Sequence, residues 1–300
     1  MRFVPALLIA LAVVSTPAFS RARADSESSG PALKSQSVLV VDQNSGEVLL
    51  GKNAQSKLPI ASLTKLMTAI VMLDAGLDPE EAVTITKADV DRLRGSHSRL
   101  PVGTALTRDE LLHLALMASE NRAASALASS YPGGRETCVL AMNLKAQLLG
   151  MSGTRFEDAT GLSGRNVSTA EDLARLVRAA HAYPKIRDYT TSTSLTVKVG
   201  RRAMRLGNTN QLTLSSRWDI GLSKTGYIAE AGRCLVMQVT LVERSIIIVL
   251  LDSWGKYTRV SDAARILQWL ELASSASAAK RVSVGPDGAV RVQGWSGRPG

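Results

Sequence analysis

The sequence predicts an α/β fold of the α+β type, with an antiparallel sheet built from both ends of the chain and an inserted helical lobe. Short β-type runs lie near the start, helix-period patterns fill the middle, and long β-branched runs return between residues 232 and 251. Strands from the two ends are expected to pair in one sheet that packs against the helices. An active-site cleft is expected at the boundary between sheet and helical lobe.

The first 24 residues are typical of a secretory signal peptide. Arg2 precedes an apolar run over residues 3–14, too short to span a bilayer, and an Ala-Arg-Ala site follows at residues 22–24. Cleavage after Ser20 is the alternative. Loss of residues 1–24 removes three arginines and no acid, so the net charge of +10 falls to +7. The protein is therefore expected in the periplasm.

The mature chain begins with a flexible lead and one hairpin. Residues 25–36 are rich in Ser and Gly and are predicted to be flexible, and the catalytic domain is expected over residues 37–273. Two β-type runs, 37–41 and 47–50, flank a turn-forming Gln-Asn-Ser-Gly at 43–46. This pattern predicts a β-hairpin.

The middle of the chain is predicted to be helical. Thr107-Arg-Asp-Glu110 and Ser168-Thr-Ala-Glu171 each match the capping box that opens a helix, and Gly150 and Pro184 end helical patterns. The periodicity and these signals together predict four helices, over residues 62–76, 107–117, 135–149 and 168–183.

In the last third of the chain the hydrophobic pattern takes a period of two, typical of strands, and a helical pattern follows it. Alternating or β-branched runs over 194–199, 232–242 and 244–251 predict strands. An amphipathic helix is predicted over 260–273. Residues 274–300 are rich in Ser, Ala, Gly and Arg and are expected to form a disordered tail.

Composition narrows the function classes. With 45% hydrophobic and 21% charged residues, the chain is an ordinary globular one. Its basic residues are scattered and export makes nucleic acid an unsuitable partner, so the charge is interpreted as a solvated surface. The three histidines lack metal-ligand spacing, so no metal site is expected. Whether Cys138 and Cys234 pair is left open.

Three short motifs carry the chemistry, and they occur in a fixed order: Ser62-Leu-Thr-Lys65, Ser119-Glu-Asn121 and Lys224-Thr-Gly226. Each alone has an ordinary structural interpretation, as a helix cap, a helix break or a strand end with a turn. Ser-x-x-Lys also occurs at Ser253 and Ser277, but only Ser62 opens a predicted helix. The ordered trio is typical of class A β-lactamases and penicillin-binding proteins.

The residue types fit acyl transfer through a serine. A serine hydroxyl needs a neighbouring base, and Lys65, one helical turn from Ser62, is the candidate. It must be neutral to accept a proton. Burial, repulsion from Lys224 and the helix N-terminus would each lower its pKa.

The remaining motif residues fit substrate handling. Ser119 is suited to relay a proton between Lys65 and the leaving amine, and Asn121 offers a donor and an acceptor to a peptide. Lys224 and Thr225 can hold a carboxylate. Gly226 allows a strand edge to approach the substrate backbone closely.

Longer segments resemble the low-molecular-mass penicillin-binding proteins, and among them the penicillin-binding protein 7 type of D-alanyl-D-alanine endopeptidase in Gram-negative bacteria. The similarity runs from about residue 37 to 272. It is carried by Pro59-Ile-Ala-Ser-Leu-Thr-Lys65-Leu-Met-Thr, Ala115-Leu-Met-Ala-Ser-Glu-Asn121-Arg-Ala-Ala, Tyr131-Pro-Gly-Gly134, Thr154-Arg-Phe, Asn208-Thr-Asn210, Lys224-Thr-Gly226 and Gly255-Lys-Tyr-Thr258.

The resemblance implies a β-lactamase/transpeptidase-like fold and a serine D,D-peptidase that uses no cofactor. It implies that Ser62 is acylated, that Lys65 accepts the proton, that Ser119 is the second catalytic serine and that Lys224 contacts substrate. The backbone N–H groups of Ser62 and Tyr227 would form the oxyanion hole. Peptidoglycan stems would be the substrate and β-lactams covalent inhibitors.

Two departures and three alternatives qualify this expectation. The β-rich second domain and amphipathic C-terminal anchor of larger carboxypeptidases are not found, so membrane contact is expected to be peripheral at most.

A D-alanyl-D-alanine carboxypeptidase is the first alternative function, since the three motifs cannot separate the two activities. A β-lactamase is disfavoured because Glu136, Glu157 and Glu171 lie outside a Glu-x-x-Leu-Asn context. A non-catalytic penicillin-binding protein is the third.

Overall fold

The computed structural model describes residues 30–241, 244–284 and 290–292, with side chains described no further than residue 275. The predicted signal peptide, the first residues of the flexible lead and the remainder of the predicted tail lie outside the described residues. The strands are β1 Ser35–Asp42, β2 Val48–Lys52, β3 Leu58–Pro59, β4 Ala82–Thr84, β5 Ala105–Thr107, β6 Val167–Ser168, β7 Ser194–Val199, β8 Arg202–Gly207, β9 Asp219–Ile228, β10 Gly232–Leu241, β11 Arg244–Ser253, β12 Val282–Val284 and β13 Val290–Val292. The helices are α1 Lys65–Asp74, α2 Arg108–Met117, α3 Asn121–Ser129, α4 Gly134–Leu148, α5 Ala170–His181, α6 Pro184–Thr191 and α7 Thr258–Arg281.

Five antiparallel strands form the central sheet in the order β2-β1-β11-β10-β9. The first strand of the chain pairs with the last strand of this sheet, with Val40 opposite Ile248. The sheet is therefore built from both ends of the chain, as the sequence predicts. β9 lies at one edge, so one side of its backbone has no strand partner within this sheet.

The two faces of the sheet carry two apolar cores, because alternate side chains point to opposite sides. One face packs against α7, through Val40, Met237 and Ile248 on the sheet and Ile266 and Leu267 on the helix. The other face packs against the helical lobe, where α1 and α5 are central. α1 is buried over its first eight residues, which fixes the helix that begins at Lys65.

The structure confirms most predicted elements and corrects several. The capping box at Thr107 opens α2, but α5 is capped by Thr169, whose side chain accepts from Asp172 N, and not by Ser168. The chain past Pro184 forms α6, which the sequence analysis missed because Pro was interpreted only as a stop; proline also suits the first helical turn. Of the longer elements, β8, β9 and α3 were also missed.

The boundaries of the predicted domain also differ in the structure. β1 begins at Ser35, two residues inside the predicted lead. α7 continues to Arg281, so residues 274–281 are helical where a disordered tail was expected, and β12 and β13 follow. Cys138 and Cys234 are buried and unpaired. Among the helices of the described residues, none combines the length and apolar character needed to cross a membrane.

Candidate active site

Ser62 lies where the sheet meets the helical lobe. It belongs to a short 3-10 helix, Ala61–Thr64, that runs directly into α1. The preceding Ala61 has a φ of +49°, a left-handed conformation that a non-glycine residue rarely adopts and that is found at functional sites. Ser62 is partly exposed, whereas its neighbours are buried.

The amine of Lys65 has three polar neighbours. Its Nζ lies 2.8 Å from Ser62 Oγ, 2.8 Å from Asn121 Oδ1 and 2.6 Å from the carbonyl oxygen of Thr160. The amide and carbonyl oxygens can only accept. A neutral amine has two N–H donors and one lone pair, so it would donate to these two oxygens and accept from the Ser62 hydroxyl. In this arrangement a neutral amine could accept the Ser62 proton; that role stays a prediction.

Burial sets the charge of Lys65. Its side chain is 1% exposed, and removal from water lowers its pKa to about 8, against the opposing attraction of Asp158 and Glu120. With this pKa, roughly a tenth of the amine is neutral at pH 7, far more than for an ordinary lysine. The sequence analysis predicted that repulsion from Lys224 would lower the pKa of Lys65. In the structure the effect falls on Lys224, because Lys65 is one of the causes that lower the pKa of Lys224.

The amine of Lys224 is hydrogen-bonded to one residue of the second motif and one of the third. Its Nζ donates to Ser119 Oγ at 2.8 Å and to the Thr225 carbonyl at 2.9 Å. Burial first, then the charges of Lys65 and Arg259, lower its pKa well below the usual range. Two buried ammonium groups in one site repel each other, which favours loss of a proton from one of them.

Ser119 stands at a break between two helices, as predicted. Its φ of +57° is a left-handed conformation between α2 and α3. The contact it makes is with Lys224, whereas the sequence analysis placed it between Lys65 and the leaving amine. Ser119 is thus joined to the lysine of the third motif, and Ser62 to the lysine of the first.

Gly226 brings the edge strand against Ser62. A Cβ added there would lie 3.0 Å from Ile60 O and 3.1 Å from Ser62 N, which is tighter than most Cβ contacts and would require these neighbours to shift by a few tenths of an ångström. The backbones of β9 and the 3-10 helix therefore adjoin. Tyr227, the next residue, is exposed. This proximity supports the predicted pairing of the Ser62 and Tyr227 N–H groups, which stays a prediction.

A family model described as D-alanyl-D-alanine carboxypeptidase matches residues 24–255. The chain belongs to this family. It is 48% identical over 241 residues to a D-alanyl-D-alanine endopeptidase of Pseudomonas aeruginosa, covering 80% of this chain and 78% of the relative. It is 40% identical over 268 residues to a D-alanyl-D-alanine endopeptidase of Escherichia coli, covering 88% of this chain and 86% of the relative.

The fold agrees with that family. A crystal structure of a Streptomyces DD-transpeptidase is similar with a TM-score of 0.75 and 30% identity, over 80% of this chain and 98% of that one. The expected serine D,D-peptidase family and transpeptidase-like fold are therefore confirmed. Within the described residues, no three His, Cys, Asp or Glu side chains form a group that could hold a metal ion.

In this family member, the sequence analysis missed the residues that orient the motif side chains. Asn121 Nδ2 donates to Ser96 Oγ at 3.0 Å, so both ends of an amide that we expected to face substrate are engaged within the protein. Thr225 donates to Thr209 Oγ1 at 2.7 Å. Thr209 lies in Asn208-Thr-Asn210, a segment that resembles the family, so the sequence could have pointed to it. Ser96 lies in no such segment, and nothing in the local sequence marks it.

Asp158 organises the loop that carries the Thr160 carbonyl. Its side chain accepts from the N–H groups of Thr160, Gly161 and Ser163 at 2.5, 2.7 and 2.8 Å. This is the local turn chemistry that aspartate favours, and the Asp-Ala-Thr-Gly order signals such a turn. The sequence could therefore have indicated the turn, though not that it faces Lys65.

The surroundings of Gly161 show how closely that loop approaches Ser62. Its φ is +83°, and an added Cβ would lie 2.0 Å from Ala61 O and 2.8 Å from Ser62 N. Gly161→Ala should displace the peptide that carries Ser62, lowering the free energy of unfolding by about 1–3 kcal/mol and the rate of acylation by penicillin at least about tenfold. Gly150→Ala is the control, because φ is +69° there and nothing lies within 4 Å. Equal acylation by both variants would contradict the close approach.

A charge beside Lys65 should move the pH dependence of acylation. Wild-type acylation is expected to rise with pH through about 8, as Nζ loses its proton. Asn121→Asp puts a carboxylate beside Nζ, which stabilises the ammonium and shifts the midpoint of the pH–rate profile upward by about one to three units. Asn44→Asp, the same change at an exposed position, should leave the midpoint in place. An unmoved midpoint in Asn121→Asp would show that Lys65 is not the titrating base.

Proposed function

We propose that this chain is a periplasmic D-alanyl-D-alanine endopeptidase that hydrolyses D-alanyl cross-links of peptidoglycan through an ester on Ser62. The observation that carries the chemistry is the buried amine of Lys65, 2.8 Å from Ser62 Oγ and held by two oxygens that can only accept. The choice of cross-links as substrate is supported by the two relatives named as endopeptidases, at 48% and 40% identity.

Acylation follows from the geometry. Ser62 Oγ attacks the carbonyl carbon of the D-alanine while its proton passes to Lys65 Nζ. The Ser62 and Tyr227 N–H groups would stabilise the oxyanion. When the tetrahedral intermediate collapses, the C–N bond breaks and the leaving amine takes, through Ser119, the proton that Lys65 had accepted, which leaves Lys65 neutral again. Water then attacks the ester while Lys65 takes its proton, and Lys65 returns this proton to Ser62 Oγ as the acyl stem leaves.

Substrate binding would divide the roles of the two lysines. In this proposal Lys224 and Thr225 would hold the α-carboxylate of the leaving residue. A bound carboxylate favours the ammonium form of Lys224. That ammonium in turn repels a proton on Lys65, which keeps the base neutral when substrate is present. β-Lactams carry a comparable carboxylate beside a reactive carbonyl and would acylate the same serine as covalent inhibitors.

A second candidate is a D-alanyl-D-alanine carboxypeptidase. It is favoured by the description of the family model and by relatives of that name, including one of Bacillus subtilis at 30% identity. Both reactions pass through the same ester and differ only in the group that leaves.

The two lysines should respond differently to arginine. Lys65→Arg keeps the charge but cannot become neutral, so acylation by labelled penicillin should fall at least about 100-fold. Lys224→Arg keeps a charge where a charge is required and should cause the smaller loss. Ser62→Ala gives the unlabelled background. Equal acylation rates in the two arginine variants would refute the division of roles.

Direct competition between substrates tests the choice of reaction. Purified protein is offered cross-linked dimeric muropeptides and monomeric pentapeptides together, and products are separated by chromatography. Monomers released from dimers should dominate, because the proposed substrate is the cross-link. If free D-alanine from pentapeptides is the main product and dimers survive, the enzyme is a carboxypeptidase and the Ser62 chemistry stands.

A further inference from the structure

Three exposed aromatic side chains lie at one end of the central sheet. Tyr227 is 57% exposed, Trp254 is 85% exposed and Tyr257 is 61% exposed. Among the Phe, Tyr and Trp side chains of residues 30–275, every other one is buried or half-buried. Aromatic rings gain most when their faces are covered, so a group of exposed rings in one place is typical of a binding surface.

The register of the sheet brings two of these rings into one row. Tyr227 on β9 lies opposite Arg233 on β10, and Arg233 lies opposite Ser253, the last residue of β11. Trp254 follows Ser253 directly. The row from Tyr227 to the end of β11 crosses two strand spacings, which amounts to roughly 10 Å.

The start of α7 adds the third ring. Tyr257 directly precedes α7, and Arg259 in its first turn donates to the Gly226 carbonyl at 2.9 Å. This bond holds the beginning of the helix beside β9, where Tyr227 follows Gly226. Tyr227, Trp254 and Tyr257 are together called the aromatic platform.

Two cations orient rings of the aromatic platform. Arg233 Cζ lies 4.6 Å from the centroid of the Tyr227 ring, and Lys256 Nζ lies 5.3 Å from the centroid of the Tyr257 ring. A cation over an aromatic face is an attractive contact. Both rings are therefore oriented while they stay exposed, so less side-chain freedom is lost when a ligand stacks on them.

The aromatic platform adjoins the candidate active site from the other face of the sheet. By strand alternation, Tyr227 lies on the side of Met237, which packs against α7. Lys224 lies opposite Val236, which belongs to the core of the helical lobe. Gly226 stands between the two on β9. A ligand on the platform would therefore lie beside the catalytic motifs but outside their cleft.

The residue types of the aromatic platform fit sugar rings. One face of a pyranose ring presents C–H groups with a slight positive charge, which stack on the negative face of an aromatic ring. Its hydroxyls need hydrogen-bond partners, and Arg233 and Lys256 bring donors to the edges of the aromatic rings. A continuous apolar patch for a protein or a membrane would also need exposed aliphatic side chains, and the row of these is on α4, at Leu140, Leu144 and Leu148.

We propose that the aromatic platform binds sugar rings of the glycan strand that carries the peptide stem. A stem of a few residues spans at most roughly 15 Å, so a strand joined to a stem at Ser62 lies within reach of the platform. The row of rings is on the scale of a disaccharide. The inference rests on the proposed function, since glycan accompanies the peptide only when the substrate is peptidoglycan.

Binding is tested with glycan strands freed of their peptide stems, offered to the full mature chain carrying Ser62→Ala. Calorimetric titration measures Kd. Trp254→Ala and Tyr257→Ala should each weaken binding at least about threefold, and the double variant about tenfold, because ring contacts are lost. Leu148→Ala, which removes a side chain 77% exposed on α4, is the matched control and should keep the Kd.

Cleavage gives a second readout, in protein that keeps Ser62. Cross-linked dimers that carry their sugars are compared with the same dimers stripped of sugars. The Trp254→Ala, Tyr257→Ala double variant should lose about tenfold in kcat/KM on the sugar-bearing dimers and keep the wild-type value on the sugar-free dimers. Acylation by penicillin at the wild-type rate would show that the site at Ser62 is intact.

Four results would overturn the aromatic platform. They are no binding of glycan with the three rings in place, a double variant that binds as tightly as Leu148→Ala, an equal loss on both kinds of dimer, and binding to phosphatidylglycerol–phosphatidylcholine vesicles without binding to glycan. The last would assign the rings to a membrane surface. The proposed function fails separately, because glycan binding is measured without cleavage and survives if D-alanine release proves to be the reaction.

Discussion

The site depends on one buried amine. An ammonium group removed from water is costly unless it is paired, so its surroundings decide whether Lys65 carries a proton. The partners within reach are a hydroxyl, an amide oxygen and a carbonyl oxygen, and none is a full charge. The carboxylates of Asp158 and Glu120 act only from further away and limit the fall of the pKa to about 8. The result is an amine whose pKa is low enough for the role of base that we propose for it.

Three parts of the fold meet to supply that environment. α1 carries Lys65 itself, the start of α3 carries Asn121, and the loop organised by Asp158 carries the Thr160 carbonyl. Two glycines allow the surrounding backbones to close on the nucleophile. Gly161 approaches Ala61 from the helical lobe, and Gly226 approaches Ser62 from β9. A side chain at position 161 would force the loop and the 3-10 helix apart, and a side chain at position 226 would require its neighbours to shift slightly.

The sequence was sufficient for the overall architecture and for naming the motif residues that the structure brings together. Hydrophobic periodicity predicted a sheet from both chain ends, and a capping box predicted where α2 begins. The serine and the two lysines followed from motif order, because their chemistry is carried by residue type and local spacing. The contacts between motifs could not be predicted, since they depend on long-range packing. The pairing of Ser119 with Lys224 and of Asn121 with Ser96 joins residues 105 and 25 positions apart. The cap of α5 at Thr169 was missed by one residue because Ser168 and Thr169 are both good caps.

The most direct test of this account is a measurement of the pKa of the Lys65 amine. The amine would be titrated by NMR in protein labelled at lysine, and the Lys65→Arg variant would assign its signal. The structure predicts a midpoint near 8, because burial lowers the pKa more than the neighbouring carboxylates raise it. A midpoint at or above the ordinary value of 10.5 would mean that Lys65 is protonated throughout the working range. It could not then be the base for Ser62, and the proposed mechanism would be wrong.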